Sequence, residues 1–466
     1  MSDPRPARTV TRRSVLASLC TLAALPLAAA CGQAAQAPVE VTRVVEKPVE
    51  VTRVVEKAVV VTATPLPQPK EKVTLNFWWP VAQDAPNYAD HKWYVDEFNT
   101  RNENVKVEVQ SITWKELHDK VITTARAGTP PDVTWALQEW VTEFFNMGIL
   151  QDLTPWFNDW PGRSQLYQPA IDAVTYGKQA VAVPQYLGIR AYQYHKKMFD
   201  QAGIQVPKTW PEMLDSLQKV TKPPGVWGFG LCATSARSPQ EFAVYLWQND
   251  IDLATRMADG KHKNTWADKP DEMERATEVM QFYYDLVYTA KVTPEDARSW
   301  GYTEEDTLFA QGKLASVQNG PWMVNREKEN PVEMADVEIT AMPYKRKPST
   351  FLEVNALTVY NKGKNPKAAF DFATWIAGPE AQAKGFTSQS VRKDTPQVGK
   401  WTKPFFDQVP TARFFPQVSL GRITELEIEA QQRVLFKKNT PKETAAWLGE
   451  EINKALKVQN ELSGAS

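Results

Sequence analysis

The run Val105-Lys106-Val107-Glu108-Val109, the segment Trp114 to Ala127, and Gly128-Thr129-Pro130-Pro131-Asp132-Val133-Thr134-Trp135-Ala136 together decide the fold of this 466-residue chain. Val105–Val109 alternates apolar and polar residues, the period of a strand. Trp114 to Ala127 has helical spacing and stops at Gly-Thr-Pro-Pro, where the prolines withhold the N–H groups that a helix needs. Asp132 to Ala136 is again strand-like. A strand, a helix and a second strand make one crossover unit, whose two strands lie parallel. The same grammar extends upstream. Val73-Thr74-Leu75-Asn76-Phe77-Trp78-Trp79-Pro80 alternates and ends at proline, and Tyr88 to Asn102 places Trp93, Val95 and Phe98 at helical intervals. The expectation is an α/β fold with a largely parallel sheet. In such sheets ligands bind beyond the carboxyl ends of strands. Those ends are Trp78-Trp79, Gln138-Glu139-Trp140 and Pro184-Gln185-Tyr186.

Composition bounds the function. Lys+Arg is 54 and Asp+Glu 55, a near-balance that argues against a nucleic-acid binder. Hydrophobic residues make up 42%, enough for real cores. The 3 Cys exclude a disulfide scaffold, and the 4 His (His91, His118, His195, His262) lack metal-ligand spacing, so no metal or cofactor is expected. The unusual count is 17 Trp, most of which (Trp93, Trp114, Trp156, Trp160, Trp227, Trp375 and Trp447 among them) sit at helical spacing or beside Pro and read as packing. Cys232 reads as a buried, inert thiol.

The first 30 residues read as an export signal. Arg5, Arg8, Arg12 and Arg13 precede an apolar run, Val15 to Ala30, too short to span a membrane, which takes about 20 apolar residues. The Arg12-Arg13 pair resembles a twin-arginine signal, although ordinary signals also carry basic starts. Ala28-Ala29-Ala30 fits conventional cleavage. Cys31-Gly32 resembles a lipobox, in which Cys31 is lipidated, with Ala28 where the usual Leu stands. Loss of residues 1–30 leaves 50 basic against 54 acidic residues. Residues 39–58 are a tandem ten-residue repeat, Val-Glu-Val-Thr-Arg-Val-Val-Glu-Lys followed by Pro48 and then Ala58, with a decayed copy running to Pro69. Pro48 bars a long helix, and two short copies bury no core. Residues 31–72 read as a tether; roughly 40 residues reach about 35 Å as a coil and ~120 Å extended.

Ala127-Gly128-Thr129-Pro130-Pro131-Asp132-Val133, Phe309-Ala310-Gln311-Gly312-Lys313-Leu314-Ala315 and Asn319-Gly320-Pro321-Trp322 are three of seven short elements that, in order over residues 73–395, resemble family 1 extracellular solute-binding proteins, the capture subunits of ABC importers, of which maltodextrin-binding proteins are members. Ala127-Gly128-Thr129-Pro130-Pro131-Asp132-Val133 resembles the family's Gly-x-x-Pro-Asp-hydrophobic element. Met147-Gly148-Ile149-Leu150-Gln151-Asp152-Leu153 is similar to its Gly-x-Leu turn. Gly177-Lys178, Val183-Pro184 and Tyr194-His195-Lys196 follow its crossover, with His195 in place of Asn. Gly203 with Pro207-Lys208-Thr209-Trp210-Pro211-Glu212 resembles its helix entry. Phe309-Ala310-Gln311-Gly312-Lys313-Leu314-Ala315 and then Asn319-Gly320-Pro321-Trp322 resemble its Gly-x-Trp region. Asn365-Pro366-Lys367-Ala368-Ala369-Phe370-Asp371-Phe372 resembles its late helix. Thr209 and Glu212 also have the spacing of a capping box.

The resemblance implies a two-lobed periplasmic-binding-protein-like fold of type II, hinge-linked, with both lobes discontinuous: residues 73–187 plus 356–393, and 188–355 plus 394–466. Chain crossings are expected near Tyr186–Arg190, Glu353–Ala356 and Arg392–Gln397. It implies a monomeric receptor, not an enzyme, held outside the cytoplasm by its lipid anchor on the outer face of the cytoplasmic membrane. The receptor captures a sugar, an oligosaccharide by preference, and delivers it to an ABC permease and its ATPase subunits. Sugar rings are recognised by aromatic faces and by paired polar groups for the hydroxyls. The candidate ligand residues are therefore Trp322, Trp78 or Trp79 (only one can face the cleft, since strand residues alternate), Glu139, Trp140, Tyr186, Arg190, Asp250, Glu353 and Asn355. Gln248 and Asn249 precede Asp250 at the end of an amphipathic helix. Maltodextrin binders carry a carboxylate where Gly188 stands, and the residues after Pro321 lack their second Trp. Arg190 close by could serve an acidic group on a ligand or be a hinge charge.

A hydrolase would need two carboxyl groups at a fixed separation, for which Glu139 and Glu353 are the candidates. No Gly-x-Ser-x-Gly, zinc motif or P-loop is present.

Overall fold

The sequence alternation becomes two sheets, built from β1 (Val73–Trp79), β2 (Val105–Ser111), β3 (Val133–Leu137), β4 (Ala182–Ile189), β5 (Ala191–His195), β6 (Trp227–Phe229), β7 (Leu314–Asn319), β8 (Val337–Thr340), β9 (Thr350–Val359) and β10 (Ala412–Arg413). The computed structural model describes residues 72–85 and 88–464. The export signal, Cys31 and the repeat lie outside those residues. The helices that frame the site are α1 (Tyr88–Arg101), α2 (Trp114–Arg126), α3 (Gln138–Asn146), α4 (Trp210–Val220), α5 (Arg237–Gln248), α6 (Pro270–Tyr284), α7 (Tyr302–Ala310), α8 (Pro366–Ile376), α9 (Pro379–Gly385), α10 (Gly421–Leu435) and α11 (Pro441–Val458).

The first sheet runs β10-β9-β3-β1-β2, with β4 also paired to β9. β1 is parallel to β2 from Val73↔Val105 to Trp79↔Ser111, and parallel to β3. β9 is antiparallel to both β3 and β4, with a register shift between Asn355 and Ala356. The sheet is therefore mixed. The crossover units supply its parallel half, and the antiparallel strands enter from chain crossings that periodicity does not reveal. All ten residues of β9 are buried, as expected of a strand covered on both faces. α8 and α9 pack beside α1: Phe372 meets Phe77 and Phe98 edge-on at 5.1 and 5.0 Å.

The second sheet runs β8-β5-β7-β6. β5 is antiparallel to β7 and β8, and β6 is parallel to β7. α5, α6, α10 and α11 form a helical block; its α5 packs on β9 and meets the second sheet where Gln318 Nε2 of β7 donates to the Glu241 carbonyl at 3.4 Å. α5 was expected to be amphipathic, yet Ser238 through Gln248 are all buried. Polar partners surround several of its residues: Gln248, for instance, accepts from Trp210 Nε1 at 2.9 Å and donates to the Ser349 carbonyl at 3.0 Å. At the start of α4, Thr209 caps the Glu212 N–H, but the Glu212 carboxylate reaches Lys208 N at 2.8 Å, one residue short of a reciprocal box.

One residue, Arg190, separates β4 in the first sheet from β5 in the second. Its N–H donates to the Phe351 carbonyl at 3.0 Å and its carbonyl accepts from Thr350 Oγ1 at 2.6 Å, so the crossing is fastened to β9.

Candidate functional site

The carboxyl end of β3 in the first sheet and that of β7 in the second converge on a buried polar cluster. Arg190 is 0% exposed. One of its Nη2 protons meets Glu353 Oε2 at 3.0 Å, and Nη2 also donates to Gln240 Oε1. Glu353, on β9, accepts further from Tyr186 O–H at 3.3 Å and Asn355 Nδ2 at 2.7 Å. Gln240, on α5, passes its own N–H to Glu139 Oε1 at 2.8 Å, at the start of α3. A continuous chain of hydrogen bonds thus joins residues attached to both sheets. Further out, Asn146 of α3 donates to Ser419 and Glu461 at 3.0 and 2.8 Å, a second line of contact between the same two halves.

The turn after β7 sets the aromatic element. Trp322 folds back over Gly320, where an added Cβ would lie 2.1 Å from the ring, and it leans on Gly188, where a Cβ would lie 3.1 Å away. Both positions must lack a side chain for the ring to lie there, which gives the Gly-x-Trp spacing its physical reason. The same closeness explains Gly188: a carboxylate there would collide with Trp322 and with Glu353 Cβ at 3.2 Å. The guanidinium of Arg190 lies 4.3 Å from the Trp322 ring centre and that of Arg237 5.1 Å, both within cation–π range. Arg237 is itself held by Asp306, at 3.1 Å from Nη2 to Oδ2, and by Glu305 at 3.4 Å. Asn319 ties this group to the turn, donating to Asp306 at 2.7 Å and accepting from Gly320 N at 2.9 Å.

Burial sets the protonation of the acids. Desolvation pushes Glu139 up to about 7, although the Gln240 amide opposes the shift. Desolvation likewise raises Glu305 to about 8 against the pull of Arg237, and it raises Glu241 well above the carboxylate range, helped by the charge of Glu305. Glu427, on α10, is raised by burial and then by Glu139. Several buried polar atoms in the cluster have no hydrogen-bond partner: Arg190 Nε and Nη1, Trp322 Nε1, Asn355 Oδ1 and both carboxylate oxygens of Glu427. Buried polar groups are almost always satisfied, so these donors and acceptors keep hydrogen-bonding capacity that a polar molecule can use. Among the described residues no group of His, Cys, Asp or Glu is arranged to hold a metal ion.

Residues 93–403 match the family described as bacterial extracellular solute-binding protein. The chain belongs to that family. Its members are binding proteins that act outside the cytoplasm, and the two-lobed architecture is theirs. A binding protein of Brucella abortus (strain 2308) is 23% identical over 378 residues, 77% of this chain and 87% of its own length. An ABC transporter solute-binding protein of Thermotoga lettingae, solved with alpha-D-tagatose bound, superposes with a TM-score of 0.73 at 25% identity, covering 83% of this chain and all of its own. The GacH receptor of Streptomyces glaucescens, solved free and with acarbose, gives a TM-score of 0.73 at 22% identity over 84% of this chain and 100% of its own.

In this solute-binding protein the structure brings together six of the sequence candidates: Trp322, Glu139, Tyr186, Arg190, Glu353 and Asn355. Trp140 lies at the edge of the same region, with Trp114 edge-on at 5.5 Å and His118 at 5.2 Å. Of the two tryptophans at the end of β1, Trp79 is 0% exposed among Tyr88, Tyr94 and Trp135, its Nε1 bonded to Ser111 Oγ at 3.0 Å; it is core. Trp78 points to the other face, under Lys120 at 4.7 Å. Asp250 is not part of the cluster. It is exposed, in a left-handed turn with φ 61°, and pairs with Lys347 and Arg275. Arg190 is no exposed hinge charge, and its bond to Glu353 leaves only Nε and Nη1 for a ligand. Sequence reasoning missed Gln240, Arg237, Glu305 and Glu427. The one available signal was polar residues inside helices whose apolar faces are nearly continuous, as at Arg237-Ser238-Pro239-Gln240-Glu241.

Proposed function

We propose that this protein is the receptor of an ABC importer that captures a carbohydrate, an oligosaccharide by preference, in the cleft between its lobes. The observation that carries the reading is the buried cluster itself: it holds unpaired donors on Arg190 and Trp322 and unpaired acceptors on Asn355 and Glu427, with the Trp322 ring beside the Arg190 guanidinium. A sugar hydroxyl donates and accepts at once, and a ring face stacks on tryptophan, so a polyol matches this mixture better than an apolar or purely anionic solute. The tagatose and acarbose bound by the two structural relatives lend support. Trp322, Glu139, Trp140, Tyr186, Arg190, Glu353 and Asn355 form the binding surface on this reading, with Trp78 at its margin.

The lobes comprise residues 73–187 with 356–393, and 188–355 with 394–466. In support, Leu166 and Tyr186 bridge to Arg392 and Ser390 on one side of the last crossing, and Trp401 bonds Glu327 at 2.5 Å on the other. The chain acts as a monomer on the outer face of the cytoplasmic membrane, tethered through a lipidated Cys31 and residues 31–72, where it delivers its cargo to a permease driven by ATPase subunits.

Titration calorimetry against a sugar panel, with analysis of the recovered ligand, tests the reading. Saturable binding of a sugar recovered intact is expected. Release of shorter sugars would replace it with a hydrolase, and binding of peptides alone would remove the carbohydrate. Cys31→Ser should free the protein from membranes; a variant still membrane-bound would refute the anchor.

A further inference from the structure

The charges around the cluster are unequal. Six carboxyl groups (Glu139, Glu241, Glu305, Asp306, Glu353 and Glu427) gather around two guanidinium groups, Arg190 and Arg237. Both guanidiniums are committed: Arg190 to Glu353 and Gln240, Arg237 to Asp306 and Glu305. Glu427 is the extreme member. It is 0% exposed, neither oxygen has a hydrogen-bond partner, and the charge that acts on it is that of another acid, Glu139. Tyr283, on α6, also feels its charge and adds no cation. Independently of the acids, Asn355 Oδ1, on a residue 0% exposed, is a third unpaired acceptor; Asn355 lies opposite Leu137, two residues before Glu139.

We propose that the captured solute carries a protonated amine, seated between Glu139 of α3 and Glu427 of α10. An ammonium group offers three donors and no acceptor, which answers the unpaired acceptors of Glu427 and Asn355. It also supplies the positive charge without which a buried carboxylate is costly. Glu139 follows β3, and Glu427 belongs to the helical block of α5, α6, α10 and α11, so one amine contacts both elements at once. The inference rests on the carbohydrate reading and narrows it to amino sugars, the remaining hydroxyls being left to Arg190, Trp322 and Asn355.

The test uses the full-length protein and matched oligosaccharides of glucosamine, N-acetylglucosamine and glucose, titrated by calorimetry at pH 6.5 in two buffers of different ionisation enthalpy. The glucosamine form should bind at least about tenfold more tightly than both neutral forms. In Glu427→Gln, and separately in Glu139→Gln, that preference should collapse toward one, with circular dichroism showing the variants folded. Tight binding of glucose oligomers with uptake of a proton, and no gain from the amine, would overturn the inference and leave the carbohydrate receptor standing. If no oligosaccharide bound but spermidine did, the carbohydrate reading would fall and the amine site would survive. A preference for the amine that persists undiminished in both variants would remove the assignment to Glu139 and Glu427.

Discussion

Replacing Arg190 by Met removes one end of a buried ion pair while nearly preserving volume against Trp322. Glu353 is then left buried at 9% exposure with two donors, Tyr186 O–H at 3.3 Å and Asn355 Nδ2 at 2.7 Å. Breaking a buried pair from one side costs about 3–5 kcal/mol, because the stranded charge stays desolvated. The two surviving donors place this case at the lower end, about 3 kcal/mol. Adding Glu353→Gln removes the stranded charge and keeps an oxygen for Tyr186 and Asn355, so the double variant should recover to within about 1 kcal/mol of the parent. The assay is equilibrium urea unfolding at pH 7, followed by tryptophan fluorescence and circular dichroism, for the parent, both single variants and the double. A single Arg190→Met variant as stable as the parent would refute the reasoning, and so would a double variant no better than it: either result would mean that Glu353 does not need its cation. Both Arg190 variants should lose sugar affinity, since Nε and Nη1 go with the side chain.

Trp322→Ala should weaken sugar binding by at least about tenfold through lost stacking, while Trp322→Phe retains part of it; calorimetry showing unchanged affinity in folded Trp322→Ala would dismiss the ring as a ligand contact. Gly188→Ala places a methyl 3.1 Å from Trp322 and should destabilise by about 1–3 kcal/mol and shift tryptophan emission; an unaltered spectrum and melting curve would contradict the tight contact. Glu139 ionises at about 7 when folded and at 4.5 otherwise. Its contribution is therefore fully present below 4.5 and is lost as the pH rises through about 7, by less than roughly 3 kcal/mol, since Glu139 is only half-buried and solvent screens part of the effect. Glu139→Gln should flatten that part of the stability profile, and identical profiles would overturn the burial argument. Thr440 both caps and is capped by Glu443 at the start of α11, so Thr440→Ala should cost about 1 kcal/mol and spare ligand affinity.

The elements of the first sheet were legible because each obeys a local rule. Val105–Val109 alternates, Trp114–Ala127 has helical spacing, and proline ends β1. The resulting helices and strands agree with the expected ones to within two residues. Their carboxyl ends led to Glu139 and Tyr186, and the family spacing to Trp322. The antiparallel half of that sheet was not legible, because β4 and β9 meet through residues some 170 positions apart, as with Glu353↔Gly188. Gln240 and Glu427 were invisible for a related reason. A polar residue in a helix reads as solvent-facing unless the whole helix is known to be enclosed, and enclosure is a tertiary property. Asp250 is the opposite case: its place after a helix suggests a ligand turn, and the structure sets it at the surface, apart from the cluster and paired with Lys347 and Arg275.

β9 is bonded to β3 and β4 along most of its length and to β10 at its first two residues, while Arg190 fastens the crossing to its flank. Mechanically it is a torsion bar. Rotation of one half of the molecule against the other must be absorbed as twist spread over ten enclosed residues, because no bond in the ladder can open without exposing buried backbone. The amides of β9 should exchange hydrogen slowly and alike with the cleft empty or filled, while the gain in protection is confined to what meets across the gap, at Gln240 and at Asn146. The molecule would then signal occupancy through the contacts at its rim, with its axle unchanged.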